Sequence, residues 1–380
     1  MDVQSSACSR RMTYNRTVAF RVDASLEMGI GHLMRCLTLA DALQESGYEC
    51  HFICREHPGH LIDYVRQQGH KVYPLAYAPL APCVGGLAHT SWLGATQEQD
   101  AMLCVELLSG IQPQWLVVDH YALDARWESA LESCYQHLLV IDDLADRSHL
   151  CDVLLDQTLG RAPLDYHKWI PEDCMLLCGA NYALLRPEFA EARQHSLQRR
   201  ASAPFHHLLV SMGGVDKDNA TGQILTALKC AQLPADLAIT VVMGQTAPWI
   251  DMVREQAAGM PVSTTVRSNV SNMAQLMADS DLAIGAAGAT SWERCCLGLP
   301  AIMVVLADNQ HLVAESLEAV HAVKVIECLQ DIPWTLPALL SGLLKPADQL
   351  HAMSKAAARV TDGTGTRLVA GFLESIDGNT

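Results

Sequence analysis

The chain has 380 residues, half of them hydrophobic, and sets 26 Lys and Arg against 42 Asp and Glu for a formal charge of −16. That is enough apolar chain for two domains with large cores, which excludes a disordered or fibrous protein. The acidic surface repels polyanions and no run of basic residues makes a local exception, so nucleic acid is not an expected partner.

Residues 1–16 read as an extension without the apolar stretch of a secretory signal. From there, short apolar or β-branched runs alternate with helix-length segments, the pattern of βα units on parallel sheets. Strands are predicted at 18–22, 48–54, 71–75, 115–119, 138–142 and 175–178. The clearest helix spans 32–46, with Leu33, Cys36, Leu37, Ala40 and Leu43 on one face and Gly47 just past its end. Around 193–204 the pattern lapses into Gln, His, Ser, Arg and Ala, which reads as a linker. A second series of strands follows at 207–212, 239–243, 262–266, 282–285, 301–305 and 323–326, and helices at 350–360 and 366–376 close the chain.

This organisation predicts an α/β fold of two doubly wound, Rossmann-like domains facing a cleft. The expected division is 17–195 for the first domain, 204–362 for the second, and 363–380 for a terminal helix that packs back on the first. Of the 14 cysteines, most lie in apolar stretches, as Cys36, Cys104, Cys134 and Cys230 do, and read as reduced small hydrophobes. No run of 18 apolar residues occurs, and Pro300 interrupts the nearest candidate, so no membrane span is expected and the cytoplasm is the expected compartment.

Each predicted domain opens with a strand, a Gly-containing turn and a helix. In the first, Gly29-Ile30-Gly31-His32-Leu33-Met34 supplies two glycines of a dinucleotide fingerprint but puts Met34 where the third belongs, and the second strand ends at Cys54-Arg55-Glu56 with its acidic residue loosely placed. NAD is therefore disfavoured. What distinguishes the loop is His32, in a helix first turn whose positive end favours the neutral imidazole that a general base requires. A histidine that merely caps or packs is the plainer alternative.

In the second predicted domain, Ile284-Gly285-Ala286-Ala287-Gly288-Ala289-Thr290-Ser291-Trp292-Glu293 follows a strand and opens a helix. Its small residues let backbone approach a pyrophosphate, and Glu293 could accept both hydrogen bonds of a ribose diol. A tight crossover without ligand fits equally well. Met212-Gly213-Gly214 could close on a substrate from the same domain. The amides of Asp308-Asn309-Gln310 could read sugar hydroxyl or acetamido groups, or Asp308 or Asn309 could cap a helix. Asp119 and Asp142, at strand ends in Val118-Asp119-His120-Tyr121 and Ile141-Asp142-Asp143, could orient His32, bond a sugar, or cap the helices that follow.

His51, Cys54, His57 and His60 recur every third residue, but the first two would point to opposite faces of a strand and zinc spacing is absent. Cys174 with Cys178, and Cys295 with Cys296, match no redox or metal motif, and a nucleophile elbow is missing. No metal and no cofactor are expected.

Taken together these motifs, with Arg21-Val22-Asp23-Ala24-Ser25 and the run Gly179-Ala180-Asn181-Tyr182-Ala183-Leu184-Leu185-Arg186-Pro187-Glu188-Phe189, make the chain resemble the PseG family. These are the UDP-2,4-diacetamido-2,4,6-trideoxy-β-L-altropyranose hydrolases of pseudaminic acid biosynthesis, similar in fold to MurG and other GT-B enzymes. The resemblance implies that His32 activates water for attack at the anomeric carbon with UDP as leaving group. It assigns Glu293 to the ribose, the glycines before it to the diphosphate, and Asn309 with Tyr121 to the sugar. The candidate substrate contacts are then Gly31, Asp23, Tyr121, Asp142, Tyr182, Arg186, Gly213, Gly214, Gly288, Ala289, Thr290, Ser291, Glu293, Asn309 and Gln310. A UDP-sugar and water are the implied partners of a monomer. A glycosyltransferase or a UDP-sugar 2-epimerase would use the same site, and a nucleotide-sugar sensor would bind without turnover.

Overall fold

The computed structural model describes residues 16–78, 87–201, 204–245, 247–268, 270–344 and 348–377. Most of the amino-terminal extension therefore lies outside the described residues.

Two wholly parallel sheets organise the chain. The first contains β1 (Thr17–Val22), β2 (Glu49–Arg55), β3 (Lys71–Leu75), β4 (Trp115–Asp119), β5 (His137–Ile141), β6 (Val153–Asp156) and β7 (Met175–Cys178), in the order β3-β2-β1-β4-β5-β6-β7. The second contains β8 (His207–Ser211), β9 (Ala238–Met243), β10 (Ser263–Ser268), β11 (Leu282–Ala286), β12 (Ala301–Val304) and β13 (Val323–Ile326), in the order β10-β9-β8-β11-β12-β13. Both sheets are covered on two faces, which is why their central strands read as unbroken apolar runs. In β1, Val18, Phe20 and Val22 enter one core cluster while Ala19 enters the other. In β8, Leu208 and Val210 face one cluster and Leu209 the opposite one. This is the predicted fold class.

Two expectations are corrected. The strand β6 has no counterpart in the predicted series, because three apolar residues and an aspartate between loops are too short to show a period. The expected linker at 193–204 is helical as far as its eighth residue: one helix runs Pro187–Arg200, opened by a proline at its first turn. Its polar composition has a structural cause. Arg193 donates to Ala358 O at 2.6 Å and Thr361 O at 3.1 Å, and Arg200 donates to Met277 O at 2.6 Å and Leu297 O at 3.3 Å. These guanidinium groups satisfy carbonyls left open in the second half of the chain, where an apolar residue could not.

The last helix, Gly365–Asp377, returns to the first sheet. Val369, Ala370 and Leu373 join the core cluster of Val18, Phe20 and Leu33, and Trp115 Nε1 donates to Asp377 at 2.9 Å. Its start requires glycine: a Cβ at position 365 would lie 2.4 Å from Ala183 O. Among the described residues, no helix is long and apolar enough to cross a membrane.

Candidate active site

The site begins with the turn after β1. Ser25 and Gly29 exchange backbone hydrogen bonds of 3.2 and 2.9 Å, the Ser25 hydroxyl accepts from the amides of Glu27 and Met28, and Gly29 adopts φ +77°. This closed turn starts the helix Gly31–Glu45 and puts His32 in its first turn with a side chain 13% exposed.

Strand β4 lies beside β1 with Val22 opposite Asp119, which fixes the carboxylate next to that turn. His32 Nδ1 is 2.6 Å from Asp119 Oδ1. The contact assigns the ring proton to Nδ1, as donor to the carboxylate, and makes Nε2 the basic nitrogen. Among the described residues Nε2 makes no hydrogen bond.

Arg35, one helical turn beyond His32, holds the acid in place. Its Nε donates to Asp119 Oδ2 at 2.6 Å and its Nη2 to Oδ1 at 2.8 Å, a bidentate pair buried in the domain. Burial works to raise the proton affinity of Asp119, but the charge of Arg35 and the contact with His32 outweigh it and hold the carboxyl well below the usual range. Arg35 Nη1 also donates to Asp143 at 2.9 Å, and the other oxygen of Asp143 accepts from the Tyr121 hydroxyl. Burial and the Asp143 charge push the Tyr121 phenol well up, so it stays a neutral donor. Its ring meets the His32 ring edge-on, 4.6 Å between centroids at 88°.

The second half supplies two glycine loops. After β11, residues Ala287-Gly288-Ala289 lead into the short helix Thr290–Cys296. Its turn is locked by a buried arginine: Arg294 donates to Ala286 O at 2.7 Å and to the Ser291 hydroxyl at 3.0 Å. Gly285 leaves room for it, since a Cβ there would lie 2.0 Å from Arg294 Nη1. Gly288, Ala289 and Thr290 stay accessible, and the Glu293 side chain, 17% exposed, lies 3.8 Å from Arg186 Nη2. Burial pushes the Glu293 carboxyl up to about 7, against the opposing charges of Arg186 and Arg294. The other loop follows β8, with Gly213 at φ +94° and Gly214 beside it.

These loops meet the His32 turn. A Cβ at Gly31 would stand 3.9 Å from the Ala289 Cβ, and one at Gly214 would stand 3.3 Å from Ile30 Cδ1. The two residues before His32 thus lie close to both glycine loops of the other half. Asn309 is exposed in the turn Asp308–Gln310 after β12, and neither it nor Asp308 caps the helix beyond. Gln310 spends its side-chain oxygen on the Leu306 amide at 3.0 Å. Tyr182 is half-buried and packs against the first core.

Three expected contacts turn inward. Asp23 is buried, bonded to the Arg55 amide at 2.6 Å and paired with Arg21 at 2.8 Å. Asp142 is fully buried, accepts from the amides of Leu144 and Ala145, and pairs with Arg147 at 2.7 Å. Ser291 is buried, its hydroxyl bonded to Arg294 and its amide to Gly288 O at 2.9 Å. All three brace the loops that carry the site.

Arg35, Trp92 and His89 are additions to the candidate site residues. Arg35 had a signal, its helical spacing from His32. Trp92 and His89 belong to a loop with no periodic pattern. Among the described residues, no group of three or more His, Cys, Asp or Glu is arranged to hold a metal ion.

Comparison with known proteins agrees with this architecture. The crystal structure of MurG from Acinetobacter baumannii superposes on 95% of this chain and 99% of its own, with a TM-score of 0.70 at 17% identity. The fold is GT-B-like. Residues 208–366, which carry both glycine loops, match the family model of the glycosyltransferase family 28 C-terminal domain. An UDP-2,4-diacetamido-2,4,6-trideoxy-β-L-altropyranose hydrolase of Campylobacter jejuni is 25% identical over 268 residues, 70% of this chain and 82% of that enzyme. An uncharacterized protein of Methanocaldococcus jannaschii is 24% identical over 298 residues, 77% of this chain but only 56% of the archaeal protein.

Proposed function

We propose that this protein hydrolyses a UDP-linked sugar, with His32 as general base and a UDP-2,4-diacetamido-2,4,6-trideoxyhexose of the β-L-altropyranose series as substrate. The observation that carries the reading is the His32–Asp119 pair, 2.6 Å apart, in a turn that lies close to both glycine loops of the family 28-like half. In this mechanism Nε2 takes a proton from water as the water oxygen bonds to the anomeric carbon and the bond from that carbon to the phosphate oxygen breaks. Asp119 stabilises the imidazolium that forms, and UDP departs with the bonding pair. A diphosphate is already a good leaving group, so placing the water and holding the phosphates accounts for most of the acceleration.

In the same reading Glu293 accepts from the ribose diol, the amides around Gly288–Thr290 and Gly213–Gly214 hold the diphosphate, and Tyr121 and Asn309 contact the sugar. Gly31 keeps the His32 turn close to the phosphates, and Arg186 and Tyr182 line the approach. The substrate and water would be the only partners of a cytoplasmic monomer without a cofactor.

The test is incubation with a panel of UDP-sugars in deuterated water, following UDP and the free sugar by NMR. UDP release without any acceptor, abolished in His32→Ala, supports hydrolysis. Transfer to an acceptor is the second reading, favoured by the family 28 match and the MurG-like fold, and would show UDP release only when an acceptor is present. Solvent deuterium at C2 of the product would instead indicate a 2-epimerase.

A further inference from the structure

The ring of His32 has more aromatic neighbours than Tyr121. Trp92 stacks on Tyr121 at 5.7 Å and 26°, and lies 6.5 Å from the His32 ring, edge-on at 76°. His89 closes the group, 4.4 Å from Trp92 and 5.2 Å from Tyr121. Trp92 and His89 are half-buried on the turn Thr90–Leu93 and the residue before it. That turn is anchored from below by Leu93, which is 1% exposed in the first domain's core, and ends at Gly94 with φ +65°, where a Cβ would strike the Tyr77 ring at 2.8 Å. The wall is therefore held in position by packing.

Resting on the hydrolase reading, we propose that Trp92, backed by His89, is a specificity-determining wall that takes the apolar face of a deoxygenated, N-acylated pyranose. The geometry leaves the sugar little choice. A water activated by Nε2 lies about 2.8 Å from that nitrogen and about 3–3.5 Å from the carbon it attacks. The pyranose must then come within a few ångströms of the imidazole, whose ring has Tyr121 at 4.6 Å and Trp92 at 6.5 Å between centroids. The Tyr121 hydroxyl is committed to Asp143. Burial pushes the His89 imidazole towards its neutral form. The faces of these rings gain from covering methyl and ring C–H groups, and a face offers a hydroxyl no hydrogen bond of ordinary strength.

The experiment compares kcat/KM for UDP-2,4-diacetamido-2,4,6-trideoxyhexose with that for UDP-N-acetylglucosamine in the full chain and in Trp92→Ala and Trp92→Phe. Trp92→Ala should cut the preference for the deoxygenated substrate by about 10–100-fold, the worth of one apolar pocket contact, while Trp92→Phe keeps most of it. The affinity for UDP alone, measured calorimetrically, should not move. Equal losses on both substrates, an unchanged preference, or weakened UDP binding would each overturn the wall. Binding of the free diacetamido-trideoxyhexose in the presence of UDP separates the two proposals, read as the tryptophan fluorescence change lost in Trp92→Phe. Sugar binding that Trp92 reports without UDP release would sink the hydrolase reading and leave the wall standing; release with a sugar site that Trp92 does not report would do the reverse.

Discussion

Replacing Asp119 by Asn tests the site at the point where structure and chemistry are tied most closely. The carboxylate accepts from His32 Nδ1 at 2.6 Å and from Arg35 at 2.6 and 2.8 Å, using both oxygens. An amide has only one oxygen. Whichever way Asn is turned, its NH2 group meets an Arg35 N–H, and in one orientation it also forces Nδ1 to accept, which moves the ring proton to Nε2 and removes the base. The wrong tautomer costs about 10⁴ in kcat where a triad carboxylate is replaced by its amide. The variant should therefore lose about 10²–10⁴ in kcat, the lower end applying if some of the population keeps the productive tautomer. Breaking a buried ion pair costs about 3–5 kcal/mol, here lessened because Arg35 retains Asp143 at 2.9 Å. UDP affinity should stay within about twofold, since the expected nucleotide contacts lie in the other half. The pH dependence gives a second readout. Because the folded state lowers the proton affinity of Asp119, its stabilisation is complete above the unfolded carboxyl value near pH ~4 and drains away as pH falls towards the lower folded value. Asp119→Asn should flatten that acid limb in thermal denaturation between pH ~5 and ~2. A folded variant that retains wild-type kcat would refute the assigned tautomer and with it the role of His32.

The remaining predictions follow from single contacts. His32→Ala should lower kcat by about 10²–10⁴ with the Kd for UDP unchanged, as measured by coupled UDP release and calorimetry. Glu293, pushed up to about 7, is ionised only above that pH, so UDP should bind more weakly as pH falls from 8 to 6. The same shift opposes folding progressively as pH rises from the unfolded carboxyl value to about 7, so Glu293→Gln should flatten the binding profile and raise thermal stability at pH ~8. Gly214→Val should wedge Ile30 away, because even a Cβ there comes within 3.3 Å of Ile30 Cδ1. It should lower kcat more than UDP affinity, and equal losses in both would place the damage in the nucleotide loop instead.

The two sheets were legible because buried parallel strands carry apolar residues on both faces, and such runs stand out against polar loops. The helix Pro187–Arg200 was not, because over 193–200 it is held largely by arginines reaching carbonyls, and in sequence that composition is the same as a solvated linker. The site shows the same division. A strand, a glycine turn and a helix announced His32, and the strand end announced Asp119. Choosing between Asp142 and Asp143 depends on which way the chain turns after Ile141: the structure sends Asp142 inward to Arg147 and gives Asp143 to Arg35 and Tyr121. Asp23 and Ser291 face inward in the same way, and a polar residue beside a ligand loop and one bracing it from behind look alike until the loop is closed.

The arrangement also explains why the first half invests so much buried charge in one imidazole. Asp119 alone, beneath a half-buried ring, would be free to rotate or to take a proton as burial favours. Arg35 removes both freedoms by binding its two oxygens, and Asp143 then balances the cation and fixes Tyr121. Buried ion pairs contribute little net stability, so their effect here is conformational: one tautomer, one ring orientation, one aromatic neighbour. That matters more in this fold than in a site built on a single sheet. His32 and the candidate phosphate loops belong to different halves of the chain, and Ile30 and Gly31 lie beside Gly214 and Ala289 where they approach. Because the two sets of groups sit on different halves, each must already be rigid within its own half for their meeting to be productive.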